Sequence, residues 1–184
     1  ENGNMLILND KDEQIPISQA DAKYKRYIGN GAPKHFLSWS NNLTWRNFDL
    51  SVFFRGTFGF DVFNMRKYGM GLQGCGTDNV LRSAYLEDKN IRTGGGVISS
   101  YFLEDGSFIK LENVTLGYNF TPKNRKLLDN MRIYLSAKNL FTLTGYSGND
   151  PSIIDVNGIQ PGVDSNSAYP TATQLSLGVT LRFK

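Results

Sequence analysis

Residues 173–184 read TQLSLGVTLRFK. Leu175, Leu177, Val179, Leu181 and Phe183 fall on one parity; Gln174, Ser176, Gly178, Thr180 and Arg182 fall on the other. Side chains of an extended chain point alternately to opposite faces, so this is a β-strand with one apolar and one polar face. Two environments produce such a strand. One is a soluble sheet packed on a core and wetted outside. The other is a membrane barrel, with lipid outside and a polar lumen inside. The rest of the chain must decide between them.

Four more stretches alternate in the same way. In HFLSWSNNLTW, 35–45, Leu37, Trp39, Leu43 and Trp45 share a face that Asn41 interrupts, and Ser38, Ser40, Asn42 and Thr44 share the other. Arg46-Asn47 makes a short turn. FDLSVFFRGTFGFDV, 48–62, then puts Phe48, Leu50, Val52, Phe54, Phe58, Phe60 and Val62 on one face, and Asp49, Ser51, Arg55, Thr57, Gly59 and Asp61 on the other, with Phe53 the exception. The two read as a hairpin with a tight connection. FIKLENVTLGYNF, 108–120, aligns Val114, Leu116, Tyr118 and Phe120, and its pattern suggests a bulge upstream of Asn113. MRIYLSAKNLFTLT, 131–144, sets Ile133, Leu135, Ala137, Phe141 and Leu143 against Arg132, Tyr134, Ser136, Lys138 and Thr142. With 173–183 the count is five strands. Between them, residues 1–34 are polar and turn-rich, and 63–107 are irregular with helical patterning in VLRSAYLEDKN. At 121–130, Thr121-Pro122 fits the start of a helical turn over KNRKLLDN, and 145–172 are rich in Gly, Pro, Asn, Asp and Ser.

Three features favour the membrane. The connections alternate in length: 46–47 and 121–130 are short, whereas 63–107 and 145–172 are long, as in outer-membrane barrels. The strands exceed the usual length of about five or six residues and fill the roughly 9–11 that cross the apolar band. Aromatics sit towards strand ends: Trp45 and Phe48 flank one turn, Tyr118 and Phe120 the next, and Phe183 reaches the same side, like an interfacial girdle. A soluble β-sandwich explains the alternation but not the loop lengths, and leaves its sheet edges unprotected. The fold class is therefore all-β, an antiparallel transmembrane β-barrel. Five strands cannot close, because single-chain barrels start at about eight and an open edge cannot sit in lipid. The chain is expected to be the C-terminal part of a larger barrel or to assemble with other chains. Its start, ENGNMLILND, with no initiator Met or signal peptide, fits that expectation.

Other classes find little support. Twenty Lys and Arg against 17 Asp and Glu give a net charge of +3, too weakly basic to argue for nucleic acid. No run approaches the roughly 18 apolar residues of a membrane helix. Cys75 is the only cysteine, so no internal disulfide is available, and it reads as a buried thiol within its loop. His35, the only histidine, opens a strand, which argues against a catalytic triad and against zinc. No phosphate-binding glycine motif occurs. With no acid/base or nucleophile constellation, the reading is a non-enzyme without cofactor or metal.

Several stretches then become recognisable. SFIKLENVTLGYNF (107–120), MRIYLSAKNLFTLTGYSGNDP (131–151) and AYPTATQLSLGVTLRF (168–183) resemble the end of SusC/RagA-type TonB-dependent outer-membrane transporters. YIGNGAPK (27–34), a strand, and then FDLSVFFRG (48–56) match that family in the same order, so the resemblance covers nearly the whole chain. The ending also resembles the outer-membrane assembly signal, with Ser176, Gly178, Leu181 and Phe183 in its slots, although Lys184 follows the aromatic that usually ends such a chain. The resemblance implies a barrel of about 22 strands around an N-terminal plug, with plug and TonB box both outside these residues. It implies import of large nutrients, oligosaccharides or peptides, driven through TonB. Its implied partners are a SusD-like surface lipoprotein lid, the barrel-assembly machinery, outer-membrane lipid and the remaining barrel and plug. Two other readings stay open: a TonB-dependent receptor for a metal chelate or cobalamin, and a soluble secreted β-sandwich binding module.

If the C-terminus lies in the periplasm, 1–34, 63–107 and 145–172 are extracellular and 46–47 and 121–130 periplasmic. Polar faces then line the lumen, where Arg55, Asp61, Arg132, Tyr134, Lys138 and Arg182 either touch substrate or plug or form ion pairs that hold the wall. In GYSGNDPSIIDVNG, 145–158, Asp150, Asp155 and Asn157 lack the spacing of a calcium loop and read as an Asx-rich turn. Tyr101, Tyr146 and Tyr169 on the long loops, with Asp150, are candidates for contacts with sugars or a partner.

Overall fold

The computed structural model describes residues 3–73, 79–86, 91–92, 96–122, 127–154, 158–165 and 169–184. In chain order the strands are β1 (Leu6–Leu8), β2 (Gln14–Pro16), β3 (His35–Trp45), β4 (Phe48–Phe58), β5 (Asp61–Asn64), β6 (Leu103–Asp105), β7 (Phe108–Phe120), β8 (Leu128–Thr144), β9 (Val163–Asp164) and β10 (Gln174–Phe183). Two short helices, α1 (Met65–Met70) and α2 (Ser83–Leu86), lie between β5 and β6. The long strands form one antiparallel sheet in the order β10-β8-β7-β4-β3.

Register aligns the alternating sequences into rows. On the apolar face Trp45, Phe48, Tyr118, Ile133 and Val179 form one row; Leu43, Leu50, Leu116, Leu135 and Leu177 form the next; Asn41, Val52, Val114, Ala137 and Leu175 form a third. Among the described residues nothing covers these rows: Leu177 is 76% and Trp45 67% exposed. A soluble sandwich would pack a second sheet there. Apart from Leu111, near the loop end of the apolar face, the buried apolar residues lie elsewhere, in one cluster of Phe60, Val62, Phe108, Tyr146 and Ile154 and another of Met5, Leu72 and Phe102. A face this apolar and uncovered is a lipid-facing wall, and the sheet is a segment of a transmembrane β-barrel.

The turn end is tight. Arg46 takes φ +53, and the Asn47 amide side chain donates to the Asn119 carbonyl at 2.7 Å. At the height of Asn113 the wall carries a bulge. Phe53 pairs with Asn113 while Phe54 pairs with Leu111, which leaves Glu112 as the extra residue. β8 adjusts at the same height, where Asn139 takes φ +52. The bulge switches parity, so Leu111 and Ile109 stay in line with Val114 and Leu116 on the apolar face.

Two local expectations are corrected. The continuous strand expected over 48–62 breaks at Gly59, which takes φ +74. Phe60 and Val62 leave the wall for the loop core, where they are 2% and 0% exposed. The helical turn expected over 121–130 gives way at its C-terminal end to strand: Leu128 pairs with Phe183 and Asn130 with Arg182. Cross-strand bonding overrides the local Thr-Pro signal, and residues 123–126 lie outside the described residues. Of the helical stretch expected over 80–90, Ser83–Leu86 is helical, and 87–90 lie outside the described residues, as do Cys75, Asp155 and Asn157.

The long connections fold into a cap at the other end. β5 pairs antiparallel with β6 and parallel with β9, so 61–64, 103–105 and 163–164 form one small sheet. Parallel pairing between segments a hundred residues apart has no hairpin to specify it and arises from the packing of Phe60 and Val62 beneath.

Candidate functional site

The polar face carries hydrogen-bonding groups in the middle and charge towards both ends. Near the turn end Asp49 accepts from Arg132 Nε at 3.0 Å and Nη2 at 2.5 Å, and from Asn119 Nδ2 at 2.8 Å. This bidentate pair, only partly exposed, ties β4 to β8 across β7. It sits in the space above Gly117, where a Cβ would come within 2.5 Å of Asp49 Oδ2. The Arg132 guanidinium also lies 4.9 Å from the Tyr134 ring centroid. In the middle, Thr115 donates to Ser136 at 3.1 Å and Ser136 to Asn113 at 3.3 Å. Lys138 is exposed there, in register with Asn113 and Gln174. Towards the loops Arg55 donates to Glu112 at 3.2 Å and lies 5.5 Å from the Phe108 ring centroid.

Above the wall, Lys110 anchors the cap. Its ammonium donates to Asp150 Oδ2 at 3.2 Å, Ser152 Oγ at 2.7 Å and Thr171 Oγ1 at 2.7 Å, one acceptor for each of its three protons. Thr171 in turn donates to Asp150 at 2.5 Å. Lys110 is 2% and Asp150 7% exposed. Burial pushes the Asp150 carboxyl up, but hydrogen bonds from Thr171, Ser152 and Lys110 outweigh it and bring the carboxyl down to about 2. A second anchor joins the two long loops. Glu104 accepts from the Ser147 amide and hydroxyl, both at 2.8 Å, and from Asn64 Nδ2 at 3.3 Å, and it lies 3.5 Å from Lys67. Burial works against its charge, yet these donors hold it below the usual carboxylate range.

The residues singled out in the sequence therefore separate into groups. Arg55, Arg132, Tyr134, Lys138 and Arg182 lie on the wall. Arg132 and Arg55 are in ion pairs; Arg182, 79% exposed, lies 3.8 Å from Asp129. Asp61 does not line the wall: it belongs to β5 and accepts from the Asn30 amide at 2.8 Å. Tyr146 is 6% exposed and donates to Asp164 at 2.6 Å, and burial followed by that bond raises its hydroxyl pKa. It and Asp150 hold the cap together and do not face outwards. Tyr101 is half-buried against Phe102, with Lys67 4.6 Å from its ring centroid. Tyr169, 89% exposed, is the loop tyrosine of this set that remains open to a partner. Ser176, Gly178, Leu181 and Phe183 all lie in β10.

Lys110 and Glu104 were missed in the sequence. For Lys110 a signal existed: it shares the parity of Val114 and Leu116, and a lysine on an apolar parity marks the bulge that turns it inwards. Nothing local marks Glu104, whose partners Asn64 and Ser147 lie 40 and 43 residues away, with Lys67 on the far side of the same connection. Among the described residues no group of three or more His, Cys, Asp or Glu could hold a metal ion. No described helix is long and apolar enough to cross a membrane, which leaves crossing by strands untouched.

A wall of long antiparallel strands, apolar outside and hydrogen-bonding inside, with a tight turn at one end and folded loops at the other, is part of a transmembrane β-barrel. No protein-family profile matches the chain. It is 28% identical over 198 residues to TonB-dependent receptor P3 of Formosa agariphila, covering 96% of this chain and 19% of that protein. It is 28% identical over 153 residues to TonB-dependent receptor SusC of Bacteroides thetaiotaomicron, covering 78% of this chain and 14% of that protein. Its fold matches the RagAB peptide importer in the closed-closed state, with a TM-score of 0.73 and 24% identity over 95% of this chain and 20% of the other. The open-open state of the same importer matches equally well, at 0.73 over 97% of this chain. The chain thus spans about a fifth or less of the proteins it resembles. It resembles SusC/RagA-type TonB-dependent receptors over nearly its whole length, and its fold is that of a part of their barrel.

Proposed function

We propose that this chain is the C-terminal wall segment of an outer-membrane transporter that imports large nutrients, oligosaccharide or peptide, powered through TonB and covered by a SusD-like surface lipoprotein. The carrying observation is the two-faced wall, whose apolar rows run across all five long strands while the opposite face is lined by hydroxyls, amides and charges. Such a lining suits a hydrated ligand that exchanges hydrogen bonds with the wall as it passes. The relatives named for SusC and for a peptide importer support the size class of cargo. In this reading the cap faces the cell exterior and the 46–47 turn faces the periplasm. Lys138 and Tyr169, both exposed, are the wall and loop candidates for ligand or lid contact. Ser176, Gly178, Leu181 and Phe183 serve the barrel-assembly machinery.

The test is uptake by cells expressing the full-length protein with its neighbouring lipoprotein, using labelled oligopeptides and oligosaccharides with and without a protonophore. Energy-dependent accumulation of one of the two, lost on deletion and restored by complementation, is expected. Unchanged uptake of both, with loss of a metal chelate or cobalamin instead, would overturn the proposal.

A further inference from the structure

Alternation fixes which face each side chain presents, but not which residue lies opposite which. A slip of two residues leaves every side chain on its own face. β10 has this ambiguity in full, since Leu175, Leu177, Val179 and Leu181 would simply exchange places. No tight turn sets its register, because it follows the long connection after β8. Among the described residues β8 is its one strand partner.

The polar face breaks the degeneracy. Gly178 lies directly opposite Tyr134. A Cβ at 178 would fall 2.3 Å from Tyr134 Cζ, 2.5 Å from its hydroxyl oxygen and 2.7 Å from Cε1. The tyrosine ring thus occupies the space that any other residue would need. The ring is restrained in turn, since the Arg132 guanidinium lies 4.9 Å from its centroid and is itself held by Asp49. Along the row Asp49–Gly117–Tyr134–Gly178, bulky residues alternate with glycines, and each glycine lies beneath a neighbour's side chain. A slip of two would bring Ser176 or Thr180 opposite Tyr134, and each carries a Cβ.

We propose that Tyr134 and Gly178 are the register-determining pair of the terminal strand. The glycine of the C-terminal motif then acts through a residue of this same chain, as the seat for Tyr134. The inference rests on the barrel reading above.

The test uses the full-length protein, folded in outer membranes and separately refolded in detergent without assembly machinery. Native cysteines are replaced, and cysteine pairs are placed on the lipid face. Ile133 with Val179 reports the native register, and Ile133 with Leu177 reports a slip of two. After oxidation, peptide mass spectrometry should find the 133–179 bond at least tenfold over 133–177 in the parent. The swap Ser176→Gly with Gly178→Ser moves the seat by two residues and should reverse that preference in both settings. A swap that folds and keeps the parent's preference would overturn the proposal. Where the swap does not fold, Gly178→Ala decides. It should lower the folded fraction several-fold, and adding Tyr134→Ala should restore it; no rescue would overturn the proposal. A parent that forms the 133–177 bond instead would overturn the proposal, whereas a parent that forms neither bond would overturn the barrel reading itself, which separates the two failures.

Discussion

Lys110→Met tests whether a single buried ammonium holds the cap to the wall. Methionine keeps the length of the side chain and removes the charge and all three donors. Asp150, 7% exposed, then keeps its carboxylate with only Thr171 and Ser152 as donors. Removing one partner of a buried ion pair costs about 3–5 kcal/mol, because the other charge is left uncompensated. The remaining hydrogen bonds place this case at the lower end, about 3 kcal/mol, or roughly a 150-fold rise in the open fraction of the loop. The reporter is the Ser152 amide, which donates to Asp150 Oδ1 at 2.9 Å. Hydrogen exchange of the full-length protein in detergent should speed up there by about two orders of magnitude, in conditions where exchange follows the opening equilibrium. The amides of β4, β7 and β8 below the bulge should keep their rates. Lys110→Met combined with Asp150→Leu removes both charges and should recover most of the loss. A change below about threefold at residues 150–154 in the single variant would refute the reasoning.

Further outcomes follow from the same geometry. Asp150 titrates at about 2 in the folded cap against 3.8 for a free carboxyl, so its contribution is present above pH 4 and is lost as pH falls from 4 towards 2. Worth about 2 kcal/mol, that loss should appear as protease sensitivity of the 145–172 loop at pH 2.5 but not at pH 5. Glu104→Gln keeps the shape but weakens bonds from Ser147 and Asn64 and the pairing with Lys67, so exchange at the Ser147 amide should rise about tenfold. Gly117→Val would place a Cβ 2.5 Å from Asp49 Oδ2 and 2.7 Å from Arg132 Nε, so the heat-modifiable folded fraction should fall several-fold, with partial relief from Asp49→Ala. Single cysteines at Tyr169 and Leu127, 89% and 74% exposed, should label oppositely in intact cells with a membrane-impermeant maleimide: 169 reacts and 127 does not.

Glu104 and Lys110 lie ten and four residues from the centre of β7, a strand that reads easily, yet neither role is local. Arg132 was visible as a polar-face residue, but its partner Asp49 is 83 positions away and meets it only because β7 lies between their strands. Tyr146 and Asp150 read as free loop groups, since a loop sequence rich in Gly, Asn and Pro says nothing about what folds over it. Gly59 looked like one more member of an alternating strand until its positive φ sent Phe60 and Val62 into a different core.

What the sequence determined by itself is what a two-residue period can carry: five two-faced strands, the tight turn at 46–47, the disturbance before Asn113, and an apolar face too continuous for anything but lipid. The faces depend on neighbours along the chain, and the pleat translates them directly; that the apolar face is left uncovered, as a lipid-facing wall must be, is visible only in the structure. Register, the ion pairs across strands, the small mixed sheet in the cap and the burial of Lys110 depend on which distant segments share space. Alternation is blind to that choice, because every even slip satisfies it equally; where no tight turn sets the pairing, contacts between distant residues, such as ring against glycine on the wall and carboxylate against ammonium in the cap, distinguish one arrangement from the rest.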